Sequence, residues 1–98
     1  GVGRGVALPH ARLESLDRIV GCFIKLDRPI DFDAVDRQPV DLVFALFAPL
    51  NSGVEHLKAL ALVSRTLRDN DVCMKLRNNE SASTLLAILQ EGPNSVAA

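Results

Sequence analysis

Val40-Asp41-Leu42-Val43-Phe44-Ala45-Leu46-Phe47-Ala48-Pro49 decides the fold of this chain. Its apolar run is nearly continuous and rich in branched and aromatic side chains. Such a run predicts a central strand over 40–48, covered on both faces, which Pro49 ends. Directly after it, Ser52 followed by Glu55 reads as a capping box. Leu57, Leu60, Ala61, Ser64 and Leu67 then recur at helical spacing. Arg65 and Arg68 complement the negative end of that helix. A buried strand leading through a short loop into an amphipathic helix is the unit of an α/β domain.

Upstream, Gly1, Gly3 and Gly5 form a glycine-rich lead-in, and Val6-Ala7-Leu8 reads as a short strand. Pro9 fixes its own φ and drives Leu8 into the extended region, so His10 is presented at a strand end by a stiff backbone. Leu13 to Asp17 is a polar connection. Ile19 to Leu26 predicts a strong strand, with Val20, Cys22, Ile24 and Leu26 on one face. Asp27-Arg28-Pro29 predicts a turn, 30–32 an edge segment and 33–39 a polar loop. Downstream, Asp71 is expected to cap a short helix through Val72 and Leu76. Ser81 or Ser83 is expected to cap a last helix through Leu85, Leu86, Ile88 and Leu89, which Gly92-Pro93 stops. The expected architecture is α/β: a small mixed β-sheet with helices packed on it.

Composition bounds the function. The chain has 98 residues, 48% hydrophobic, and a formal net charge of −1. That is enough for one domain with a real core, and it carries no basic excess of the kind a nucleic-acid binder shows. No apolar stretch is long enough to span a membrane, and no secretory signal is visible. Cys22 and Cys73 lie far apart inside apolar patterns and read as reduced core residues of a cytoplasmic protein. Asp31, Asp33 and Asp36 cluster without the pattern of a calcium loop, so no metal site is expected there. No G-x-S-x-G occurs, which removes the usual serine-hydrolase signal.

The two histidines carry the chemistry. Histidine ring nitrogens are good nucleophiles near neutral pH. His10 stands after Pro9, with small Ala7 and Ala11 leaving room for a bulky partner. His56 falls in the first turn of the main helix, where free N–H groups and the helix dipole favour a phosphoryl group. Strand ends and helix starts converge in α/β folds, so the two rings are expected to meet. Arg12 and Ser52 are the candidate phosphate-binding groups beside them. Gly1-Val2-Gly3-Arg4-Gly5 lacks the spacing of a phosphate-binding loop and reads as flexible.

The string Gly5-Val6-Ala7-Leu8-Pro9-His10-Ala11-Arg12 resembles the active-site signature of the fructose/mannitol-type enzyme IIA domains of the phosphoenolpyruvate-dependent phosphotransferase system. The block from Pro29 to Leu46 is similar to that family's central block, closest to its nitrogen-regulatory branch. His56-Leu57 through Leu67 resembles the helix bearing the family's second histidine. The resemblance implies that His10 accepts a phosphoryl group, on Nε2, from phosphohistidine on the small carrier HPr or its nitrogen-branch relative. It implies that His56 helps hold the phosphoryl group, and it implies no metal or organic cofactor. In the nitrogen branch the output is regulatory, through target proteins that the domain binds. In the sugar branch the group passes to a IIB domain. A module that only binds partners is the third reading. Leu8, Leu50 and Val54 flank the two histidines and are the expected carrier-docking rim. Family members carry further helices and an R-E-x-x-G-S-T-G-type stretch before the glycine loop, and this chain has Ala11 where glycine is common. Residues 1–98 are therefore expected to form a single partial IIA domain whose upstream helices are missing. The apolar surface so uncovered would favour homo-oligomers.

Overall fold

A computed structural model of the chain describes residues 3–31 and 36–93. The elements follow the order β1 (Val6–Ala7), β2 (His10–Leu13), β3 (Val20–Ile30), β4 (Val40–Pro49), α1 (Val54–Arg68), α2 (Asn70–Arg77) and α3 (Ala82–Glu91). The mixed sheet is built around β4, as its apolar run requires. β1 and β2 both pair with β4 in parallel, Val6 with Leu42 and His10 with Leu46. The offset in sequence is the same for both. They are therefore one lane of the sheet, broken at Leu8-Pro9. β3 lies antiparallel on the other side of β4, Val20 opposite Phe47 and Lys25 opposite Leu42.

The core forms on one face of this sheet. Val6 and Leu42 from the strands meet Leu67 of α1 and Val72, Cys73 and Leu76 of α2, with Phe23, Phe44, Leu85 and Ile88 packed around them. A second, smaller cluster joins buried Ala7 and Val40 to Val43. On the face of Val43, Ala45 and Phe47 are only half-buried, while on the helix side Leu42 and Leu46 are buried and Phe44 is half-buried. Coverage of β4 is thus fuller on the helix side than on the other.

Several local expectations are corrected. The strand around Val6 resumes after Pro9, so Leu13 belongs to β2 and not to the connection. The turn expected at Asp27-Arg28-Pro29 is strand: β3 runs on to Ile30, which pairs with Val40 after a register shift. The register shift between Lys25 and Ile30 absorbs the proline, which has no N–H for a regular ladder. Phe32 and Asp33 lie outside the described residues. The buried face of α1 is His56, Thr66 and Leu67, while Leu57 is 61% exposed. α2 is capped by Asp69 rather than Asp71: the Asp69 carboxylate accepts from the N–H groups of Asp71 at 2.9 Å and Val72 at 3.1 Å. Asp69→Ala removes both bonds and should lower stability by about 1 kcal/mol in urea unfolding; a midpoint unchanged from wild type would refute it. α3 starts after Ser81, whose hydroxyl pairs with Ser83 and caps no backbone group. Cys22 is exposed on β3 and only Cys73 is buried; both thiols are free.

The glycine lead-in is clamped. The Arg77 guanidinium grips Asp41 through two bonds of 2.9 and 2.8 Å and also donates to the Arg4 carbonyl at 3.0 Å. Asp36 accepts from the Arg4 backbone N–H at 2.7 Å and from that of Gln38, which holds its carboxyl below the usual range. The Gly5 carbonyl accepts from the N–H groups of Asp41 and Leu42. Lys25 meanwhile reaches the carbonyls of Arg77 and Asn79 beyond the end of α2. Thus the entry to β1 is tied to β4 and α2 before the chain reaches His10.

Candidate functional site: a histidine pair at a strand break

The parallel pairing of β2 and β4 places both C-terminal ends at one edge of the sheet. β4 ends at Pro49, and α1 begins after the short loop 50–53 at the same edge. His10 opens β2 and His56 lies in the first turn of α1, so topology brings the rings together. Their centroids are 5.8 Å apart with planes tilted by 50°.

The two rings are held differently. His10 is exposed, and its Nδ1 lies 3.0 Å from the Leu8 carbonyl. A carbonyl only accepts, so this bond places the ring proton on Nδ1 and leaves the Nε2 lone pair outward. The carbonyls of Gly5 and Pro9 face β4, accepting from the Leu42 N–H at 3.1 Å and the Leu46 N–H at 2.9 Å, so strand alternation turns the Leu8 carbonyl away from β4 and leaves it to the ring. His56 is buried, with 5% exposure, and its Nδ1 has no hydrogen-bond partner.

Ser52 does not cap α1. Gly53 occupies the cap position with φ 51°, a left-handed conformation that glycine takes readily. The turn is closed by backbone alone, Glu55 N–H to the Ser52 carbonyl at 3.0 Å. The Ser52 hydroxyl is instead buried without a partner, like His56 Nδ1. Arg12 is exposed on β2, and strand alternation puts it on the same face as His10. Leu8 is half-buried, while Leu50 and Val54 at the start of α1 are 54% and 63% exposed. The main-chain carbonyl of Leu8 is a site group that no side-chain pattern marks.

Other reactive groups lie elsewhere. Cys73 is buried, donates to the Leu67 carbonyl at 3.2 Å and has its thiol pushed up by burial, so it stays protonated and inert. Among the described residues no cluster of His, Cys, Asp and Glu is arranged to hold a metal ion. An apolar cleft of about 280 Å³ between α1 and α3, lined by Phe23, Phe44, Leu62 and Leu86, does not include either histidine. No helix among the described residues is long and apolar enough to cross a membrane.

A mixed α/β sheet that presents an exposed histidine, with one nitrogen tied to backbone, beside a buried histidine defines a histidine-paired α/β domain. Comparison with known proteins is more specific. Residues 1–92 match the family described as "Phosphoenolpyruvate-dependent sugar phosphotransferase system, EIIA 2". A nitrogen regulatory protein of Bradyrhizobium diazoefficiens is 51% identical over 96 residues, covering 98% of this chain and 63% of that protein. A fructose-specific EIIA component of the phosphotransferase system from Haloferax volcanii is 37% identical, covering 93% of this chain and 59% of that protein. The crystal structure of nitrogen regulatory protein IIA-Ntr from Neisseria meningitidis superposes with a TM-score of 0.86 at 37% identity, covering 91% of this chain and 61% of that one. The chain belongs to the EIIA 2 family of the phosphoenolpyruvate-dependent sugar phosphotransferase system. It spans less than two thirds of the length of these three relatives.

Proposed function

We propose that this chain is the histidine-bearing part of a cytoplasmic phosphocarrier of the nitrogen-regulatory type. The observation that carries the reading is the His10 Nδ1 contact with the Leu8 carbonyl beside a buried second imidazole. The Nε2 lone pair attacks the phosphorus of phosphohistidine on an HPr-like carrier. The new bond is Nε2–P; the bond that breaks is the carrier's own N–P bond, whose electron pair returns to the carrier's imidazole. The proton on His10 Nδ1 stays where the Leu8 carbonyl holds it. His56 donates to the phosphoryl oxygens, and Arg12 and Ser52 belong to the same phosphoryl site. The group transferred brings roughly −1.5 to −2 charges, which donors already in place stabilise. Phosphorylation would then change which regulatory target proteins the domain binds.

Incubating the full-length protein with phosphorylated carrier should give an acid-labile label that peptide mapping places on His10. A label on His56 alone would overturn the assignment. The fructose-specific relative supports a second reading, a sugar-branch IIA component. Onward transfer to a fructose or mannitol IIB domain would select it.

The carrier docks on an apolar rim formed by half-buried Leu8 and exposed Leu50 and Val54. Leu50→Glu and Val54→Glu together should raise the carrier KM about tenfold or more, through lost apolar contact and a charge at the rim, with folding unchanged. Transfer at the wild-type KM would refute this surface.

A further inference from the structure

We infer that Ser52 is a positioning residue for His56: its hydroxyl sets which ring nitrogen of His56 carries the proton. This rests on the phosphocarrier reading above. His56 is 5% exposed, and its Nδ1 is buried with no partner. A proton on that nitrogen would be a buried donor without an acceptor. The tautomer with a lone pair on Nδ1 and the proton on Nε2 avoids this. That tautomer is also the useful one, because Nε2–H is then the donor for a phosphoryl oxygen on His10, whose ring lies 5.8 Å away.

A lone pair on Nδ1 still needs a donor, and Ser52 is suited to supply one. Its Oγ is the other buried side-chain atom without a partner among the described residues. It lies in the short loop that enters α1, next to the cap residue Gly53 and four residues before His56. It is free for the task because Gly53 closes the start of α1 with backbone bonds alone. A hydroxyl both donates and accepts, so a χ1 rotation or one bridging water joins it to Nδ1. Its service to the phosphoryl site thus runs through His56.

The test is ¹⁵N NMR of the His56 ring in the full-length, unphosphorylated protein, paired with the kinetics of phosphoryl transfer from the carrier. Wild type should show a pyridine-like Nδ1 and a pyrrole-like Nε2. Ser52→Ala should move both signals toward a mixture of tautomers and lower kcat about three- to tenfold with the carrier KM unchanged. Ser52→Thr keeps the hydroxyl and should restore both. Three results overturn the inference: an unchanged His56 signature in Ser52→Ala, a shifted signature with unchanged kcat, or a raised KM with kcat intact, which would make Ser52 a carrier contact. Failure of the phosphocarrier reading is seen separately, since label retained in His10→Ala leaves the NMR result untouched.

Discussion

His10→Ala should abolish uptake of acid-labile phosphate from the carrier, a loss of at least about 10³-fold in transfer rate. Removal of the ring takes away the atom to which phosphorus bonds, and no second group can replace it. His56 is 5% exposed, too buried to receive a carrier's phosphohistidine, and the Cys73 thiol is buried and protonated. His10→Gln is the informative companion. Its amide preserves volume but supplies no nucleophilic nitrogen, so it too should be silent while the fold is kept. His56→Ala should be less severe, about 10²-fold slower, because it removes a donor to the transferred group rather than the acceptor of it. The order of the two losses is the content of the prediction. Equal losses would mean that the rings act as one unit, and a larger loss at His56 would reverse their roles.

Gly5→Ala should destabilise the protein by about 3 kcal/mol, enough to halve a typical stability margin. Gly5 has φ 83°, and an added Cβ would come within 2.7 Å of Arg77 Nη2 and 3.0 Å of Asp41 Oδ1. Neither atom can move alone, since Arg77 holds Asp41 in a two-pronged bond and the Arg4 carbonyl in a third. Gly53→Ala separates the two causes. There φ is 51° but nothing lies within 4 Å of the added carbon, so only the backbone cost of about 1–2 kcal/mol applies. Denaturant unfolding should therefore rank wild type, Gly53→Ala and Gly5→Ala in falling order. Equal midpoints for the two variants would show that the clamp yields without cost. In the Gly5→Ala and Arg77→Ala double variant the effects should fall short of their sum, because the first substitution has already broken what the second removes.

The chain announces some of this plainly. The apolar run from Val40 to Ala48 leaves no alternative to a central strand, and the spacing of the residues after Ser52 leaves none to a helix. What it hides follows a pattern. Cys22 alternates as a core residue would, yet it is exposed on β3, because alternation reports a face and not whether that face is covered. Asp27-Arg28-Pro29 has turn composition, and only the pairing of Ile30 with Val40 shows that a strand carries it. Ser52 and Glu55 satisfy the capping pattern, but Gly53 between them takes a left-handed conformation and makes the side-chain cap unnecessary. At the site, His10 and His56 were legible as chemistry and their meeting as topology. The clamp was not, because Arg77 and Asp41 are 36 residues apart and a charge in an apolar strand was its single trace. Nor was the Leu8 carbonyl, since a backbone acceptor has no letter of its own.

That last point bears on how the site can drift. The proton on His10 Nδ1 is held by a peptide oxygen that every amino acid possesses. Position 8 can therefore change its side chain without erasing the tautomer. What keeps that oxygen free is register: Gly5 and Pro9 turn their carbonyls to the N–H groups of β4, so the carbonyl at position 8 faces away from the ladder. The reactivity of the histidine is written in the register of this lane, and a slip of one residue against β4, which would turn the oxygen into the ladder, is the change that would silence it.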